Sequence, residues 1–138
     1  MSRIIKTSTP GKERDQLTKA IVVTIREFMR QSKPDDNTRD MIAFIILALR
    51  EIAEGIEKSV AAWEKRDYWV KADKYRMDWL WVTPAEKALS KAFQAEDWAE
   101  IAGQLVSLMG RFNSIKVSDK HRMGKPWIGA YQEYRSAT

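Results

Sequence analysis

Apolar side chains recur every three or four positions along most of this sequence, and the pattern is densest over residues 38–63. Residues 41–49, MIAFIILAL, include no charged side chain, so a helix there is apolar on all sides and should be enclosed by its neighbours. Beyond them the apolar positions narrow to one side of the helix, at Ile52, Ile56 and Trp63. The spacing predicts a central helix that is buried at its start and amphipathic toward its end.

The same periodicity predicts a first helix over residues 10–31. Thr9 is the expected N-cap and Pro10 suits the first helical position, because proline has no N–H group to leave unsatisfied there. Residues 32–37, SKPDDN, are typical of a loop, and Asn37 or Thr38 is expected to cap the central helix. The predicted apolar face of the first helix is formed by Leu17, Ile21, Ile25 and Phe28.

Further helices are predicted downstream of an interruption near residues 65–67. Without that interruption the central helix would run to about 67 Å, too long for a compact domain. A third helix ends near Trp81, and a fourth begins at the capping box of Thr83 and Glu86. Asp97 is the expected cap of a fifth helix, which begins at Trp98. The predicted buried side chains of the fourth helix are Leu89, Ala92 and Phe93. The predicted apolar stripe of the fifth helix is Trp98, Ile101, Leu105, Leu108, Met109 and Phe112.

No stretch of useful length alternates with the period of a β-strand, and no internal repeat is visible. The sequence therefore predicts an all-α fold in which residues 1–138 form a single-domain bundle of about five helices around a long central helix. The first and fifth helices are expected to pack on the central one. Residues 1–9 are expected to form a flexible arm, and residues 114–138 a flexible, loop-rich basic tail with one short helix near residues 128–135.

Charge is distributed unevenly along the chain. The net charge is +5, and the positive excess lies at the two ends: residues 1–33 hold eight Lys and Arg against three acids, and residues 111–138 hold six against two. The chain has no cysteine, which excludes disulfides and thiol nucleophiles and suits a reducing compartment. No apolar run approaches the roughly 20 residues that span a bilayer. We expect a soluble cytoplasmic protein without membrane association.

The residues for most catalytic chemistry are missing. His121 is the sole histidine and lies in the basic tail, so neither a nucleophile with its base nor a histidine-based metal site can be assembled. Glu51, Glu54 and Glu57 share one side of the central helix, but the Glu-x-x-His pairs of helical-bundle metal sites are absent. Gly103 belongs to no phosphate-binding motif and is expected to let another helix approach closely. The sequence predicts a protein that is not an enzyme and holds no metal or cofactor.

Aromatic and basic side chains interleave over residues 63–81, a pattern typical of proteins that bind single-stranded nucleic acid. Four acids leave this segment almost neutral, so a structural core with solvated charges is an open alternative. The basic tail allows the same two interpretations, a phosphate-binding segment or a solvated linker. The candidate nucleic-acid-binding residues are Lys65, Arg66, Lys71, Lys74, Arg76, Arg111, Lys116, Lys120, Arg122 and Lys125. The N-terminal segment adds Arg3, Lys6, Lys12 and Arg14.

Two functional hypotheses follow from these patterns. The first is a non-catalytic helical subunit that binds the backbone of RNA or single-stranded DNA within a larger nucleoprotein complex. In size, charge and all-α character the chain is similar to the small helical subunits of CRISPR effector complexes, a similarity that rests on no shared motif. The second is a protein–protein interaction or self-assembly module that binds no nucleic acid. Its candidate partner-binding residues are Trp69, Trp79, Trp81 and Trp127.

Overall fold

The computed structural model describes residues 10–137, and this part of the chain forms six α-helices and no β-strand. The predicted all-α class is therefore confirmed. The predicted arm of residues 1–9, with its cap at Thr9 and its cations Arg3 and Lys6, lies outside the described residues. The helices are α1 (Pro10–Met29), α2 (Asp36–Lys65), α3 (Trp69–Asp78), α4 (Val82–Gln94), α5 (Trp98–Arg111) and α6 (Ala130–Ala137).

Helix α2 is the element against which most others pack. Of the nine side chains of residues 41–49, all except Leu47 are at most 2% exposed. Helices α1, α3, α4 and α6 each lie against α2. Helix α5 was expected to do the same but packs on α4 and α1 instead. The short helix α6 takes that place because its buried Ala130 and Tyr134 join the core beside α2.

The N-terminus of α2 is capped by Asp35, two residues before the expected position. The Asp35 carboxylate accepts a hydrogen bond from the Thr38 backbone N–H (2.9 Å), and the Thr38 hydroxyl accepts one from the Asp35 N–H (3.2 Å). The prediction of Asn37 or Thr38 as the cap was wrong because Thr38 serves as the reciprocal partner three residues into the helix. The hydrogen bonds from Thr38 lower the pKa of Asp35.

The predicted interruption at residues 65–67 is confirmed, and its geometry is that of a Schellman motif. Asp67 takes the left-handed conformation, with φ of +63°. The Tyr68 N–H then donates to the Trp63 carbonyl (2.9 Å) and the Asp67 N–H to the Glu64 carbonyl (3.1 Å). These bonds satisfy the last carbonyls of α2 and turn the chain into α3. The end of α4 repeats the motif with Glu96, at φ of +52°.

The two predicted capping boxes downstream have different outcomes. Asp97 caps α5 as expected, accepting a hydrogen bond from the Glu100 N–H (3.1 Å). The prediction that Thr83 caps a helix beginning at Pro84 was wrong, because α4 starts at Val82 and has no side-chain cap. The side chain of Val82 is buried and its N–H donates to the Trp79 carbonyl, so packing of the preceding turn sets this helix start.

The C-terminal segment is packed over residues 127–137, contrary to the predicted flexible tail. Trp127 is 3% exposed, and its indole N–H donates to the Asn37 side-chain oxygen (2.7 Å). The Asp40 carboxylate accepts hydrogen bonds from the N–H groups of Gly129 (3.1 Å) and Tyr131 (2.9 Å), at the start of α6. The short helix predicted near residues 128–135 corresponds to α6. The flexibility expected of the tail is not found over residues 127–137, because these contacts fasten it to the N-terminal end of α2.

Candidate nucleic-acid interface

Most aromatic rings of residues 63–81 are engaged in contacts within the chain. Trp63 meets Tyr75 edge-on at 4.8 Å between centroids, and Trp79 stacks on Trp81 at 6.0 Å. The Arg14 guanidinium of α1 lies over both Tyr75 (5.2 Å) and Trp79 (5.4 Å), joining these two pairs. Together with two terminal cations these groups form a row that we call the aromatic–cation ladder: Lys71, Trp63, Tyr75, Arg14, Trp79, Trp81 and Arg111.

The ends of this ladder include two candidate nucleic-acid-binding residues. The Lys71 ammonium lies 4.5 Å from the Trp63 ring centroid, and the Arg111 guanidinium lies 5.1 Å from that of Trp81. Trp81 also meets Phe112 edge-on at 5.5 Å. Because cations and neighbouring rings contact these aromatic groups, the ladder ties α1, α2, α3 and α5 together. The partly buried Trp79 and Trp81 therefore have contacts within the chain, and their contact with a partner stays a prediction.

The remaining basic residues of α3 are paired with acids. Arg76 contacts Glu64 and Asp73, each at 3.0 Å, and Lys74 contacts Asp78 at 3.4 Å. The hydrogen bond with Glu64 raises the pKa of Arg76 above its ordinary value. Acids thus separate the cations of α3 from one another, which weakens the prediction that this helix follows a phosphate backbone.

The cations of the loop between α5 and α6, unlike those of α3, are not paired with acids. We call residues 113–126 the basic loop; its four cations are exposed, and none forms an ion pair within the described residues. They are Lys116, Lys120, Arg122 and Lys125. The single acid of the loop, Asp119, contacts α1 rather than a cation of the loop itself.

Two arginines near the end of α1 hold the basic loop in place. Arg26 binds the Asp119 carboxylate (3.1 Å) and donates to the Val117 carbonyl (2.9 Å), while Arg30 lies 3.9 Å from Asp119. The sequence pattern did not connect Arg26 or Arg30 with the loop. The sequence carried no signal for these contacts, because the neighbouring cations of the loop could equally have been the partners of Asp119.

The four candidate partner-binding tryptophans are not brought together. Trp127 is buried in the core, so the expectation that it contacts a partner is corrected by its packing against Asn37. Trp79 and Trp81 belong to the ladder. Trp69 alone among the four is exposed, at 54%.

Trp69 belongs to an exposed apolar turn that we call the α3 corner, residues 65–71. Tyr68 is 54% exposed and Val70 86%. Lys65 and Arg66 are also exposed and form no ion pair within the described residues. This corner follows the C-terminal end of α2, whereas Trp127 binds Asn37 near its N-terminal end, so about 40 Å of helix separates the corner from the end of the basic loop.

Other candidate chemistry finds little support in the described part of the chain. His121 accepts a hydrogen bond from the Met123 N–H through Nδ1 (3.2 Å) in the basic loop. No group of three or more His, Asp or Glu side chains among residues 10–137 is placed to hold a metal ion. None of the described helices is both long enough and apolar enough to cross a membrane.

Comparison with known proteins does not assign the chain to a family. No protein-family model, curated protein or solved structure matches this chain.

Proposed function

We propose that this protein is a non-catalytic helical subunit that binds the phosphate backbone of RNA or single-stranded DNA through its basic loop. The observation that carries the proposal is the contact of Asp119 with Arg26 and Arg30. Because α1 neutralises the one acid of the loop, the loop is held against the bundle with its four cations directed at no acid among the described residues. Exposed cations that are not paired with acids are what binding to a phosphate backbone draws on.

The contacts of the aromatic–cation ladder limit how far such binding can depend on the base sequence of the nucleic acid. Its rings already contact cations or one another, and Trp127 is buried, so neither group offers a free face beside the basic loop. Binding by the loop alone is therefore proposed to depend on phosphates and to tolerate any base sequence. We place this subunit in the cytoplasm, a proposal supported by the absence of cysteine.

The salt dependence of binding tests this function. Four phosphate contacts on a single strand predict that the logarithm of affinity falls with the logarithm of salt concentration at a slope of about −3. The double variant Lys120→Ala/Arg122→Ala is expected to halve that slope, measured by filter binding of a labelled oligonucleotide. The control Lys58→Ala/Lys87→Ala removes the same charge from exposed positions on α2 and α4 and should keep the slope of the unmodified protein. Absence of binding at low salt, or equal slopes for all three proteins, would contradict the proposal.

A specific observation favours a second function, protein–protein interaction. Three consecutive apolar side chains of the α3 corner, Tyr68, Trp69 and Val70, are each at least half exposed. Contiguous exposed apolar groups, with tryptophan and tyrosine among them, are typical of protein interfaces. The two functions are compatible, because the basic loop and the α3 corner lie toward opposite ends of α2.

A further inference from the structure

The α3 corner has an unbalanced charge as well as an apolar centre. Lys65, Arg66 and Lys71 lie in the same short range as Trp69, and Asp67 is the one acid among residues 65–71. Two copies of the corner placed face to face would bring these cations together, which is unfavourable. A protein surface that complements the corner is therefore apolar and acidic, and different from the corner itself.

The outer side of α5 has this character. Asp97 and Glu100 are exposed at its start, and Ala99 and Val106 are exposed along it, the latter at 63%. Gly103 lies between them, and no atom of another described element comes within 4 Å of the place a Cβ would occupy. The close helix approach expected at Gly103 is thus not made within the described residues.

The acidic start of α5 and the α3 corner lie at opposite ends of α2 within one chain. The start of α5 is tied to the N-terminal end of α2 by the Arg39–Glu96 ion pair (3.1 Å), since Glu96 directly precedes the α5 cap. The α3 corner follows Lys65 at the other end of α2, about 40 Å away along that helix. Contact between them requires a second molecule.

We propose that the α3 corner of one molecule docks on the outer side of α5 of a second copy, with Trp69 against the Ala99–Val106 face and Lys65 and Arg66 beside Asp97 and Glu100. The contact is heterologous, so copies add head to tail unless the rotation between them closes a ring. This inference rests on the second proposed function, protein–protein interaction, and is independent of nucleic-acid binding.

Sedimentation velocity of the full chain over a concentration series, in samples free of nucleic acid, tests the proposal. The mass is expected to rise with concentration above the 16.0 kDa of one chain. The variant Trp69→Ser should weaken association at least about tenfold, because a tryptophan that becomes buried in an interface is a typical hot spot. The matched control Ile128→Ser, which removes an exposed apolar side chain outside the corner, should associate like the unmodified protein. A protein that stays monomeric to millimolar concentration, or equal association of both variants, would overturn the proposal.

Charge reversal tests the orientation of the contact. The variant Lys65→Glu/Arg66→Glu is expected to abolish association, and adding Glu100→Lys should restore part of it. The control Lys58→Glu/Lys87→Glu changes the net charge equally and should associate normally. No recovery with Glu100→Lys would refute docking on α5. The variant Lys120→Ala/Arg122→Ala should associate normally while losing oligonucleotide affinity, so a failure of nucleic-acid binding is distinguished from a failure of self-association.

Discussion

Replacing Trp127 by alanine is expected to destabilise the protein strongly, because the structure places this side chain in the core. An indole buries about 150–250 Å², which at roughly 25 cal/mol per Å² corresponds to about 4–6 kcal/mol of transfer free energy. Measured losses for buried aromatic residues are about 3–5 kcal/mol. The lost hydrogen bond adds little, since Asn37 is exposed and its amide can bind water. We therefore expect the free energy of unfolding to fall by about 3–5 kcal/mol.

Urea denaturation followed by far-UV circular dichroism measures this loss, and the dependence on urea concentration should stay the same. Trp69→Ala is the matched control, because Trp69 is 54% exposed and removing the same side chain from that position should cost about half as much as Trp127→Ala. If the C-terminal tail were flexible, Trp127→Ala would cost less than the control. A loss below about 1 kcal/mol for Trp127→Ala would therefore refute the packing described for residues 127–137.

Three further substitutions test other parts of the fold. Leu49→Ala, in the fully buried part of α2, should lower the free energy of unfolding by about 2–5 kcal/mol in urea titrations, and a loss below 1 kcal/mol would contradict its burial. Arg14→Ala removes two cation–π contacts of the ladder and should cost about 1–2 kcal/mol, whereas an unchanged urea midpoint would argue against the ladder. Asp35→Ser tests the α2 cap, because hydrogen bonds from Thr38 lower the pKa of Asp35 in the folded protein. The ionised Asp35 therefore stabilises the fold fully above its ordinary pKa of about 3.9. This stabilisation is lost as the pH falls through the lower pKa of the folded state. Thermal melts should show a stability difference between the two proteins that is constant near neutral pH and shrinks below about pH 4; a constant difference down to about pH 2 would contradict this role.

The apolar pattern predicted the helices well because a three-to-four spacing leaves few alternatives. The run of residues 41–49 required enclosure on all sides, and the structure buries it. The ends of helices were harder to predict. The turn after α2 uses Asp67 in a left-handed conformation that glycine normally adopts, so no glycine marked its position. Helix α4 does not use the capping box at Thr83, because burial of Val82 sets the position where the helix begins.

The candidate site depended on long-range contacts that spacing along the chain does not encode. Nothing near Asp119 in the sequence indicates that Arg26, 93 positions earlier, is its partner. Likewise, the pattern could not show that Arg14 lies over both Tyr75 and Trp79. Because of this contact, two rings that were candidates for base stacking already have a partner within the chain. Composition correctly marked the tail as basic but could not show that Trp127 anchors its end in the core.

The most direct measurement of the central claim is a nuclear magnetic resonance titration of the ¹⁵N-labelled chain with a short single-stranded oligonucleotide at low salt. Binding by the basic loop predicts that amide shifts change in residues 113–126 and around Arg26 and Arg30, reverse on adding salt, and leave the α3 corner unchanged. Changes centred on the α3 corner, or no changes in residues 113–126 at saturating oligonucleotide, would contradict the account.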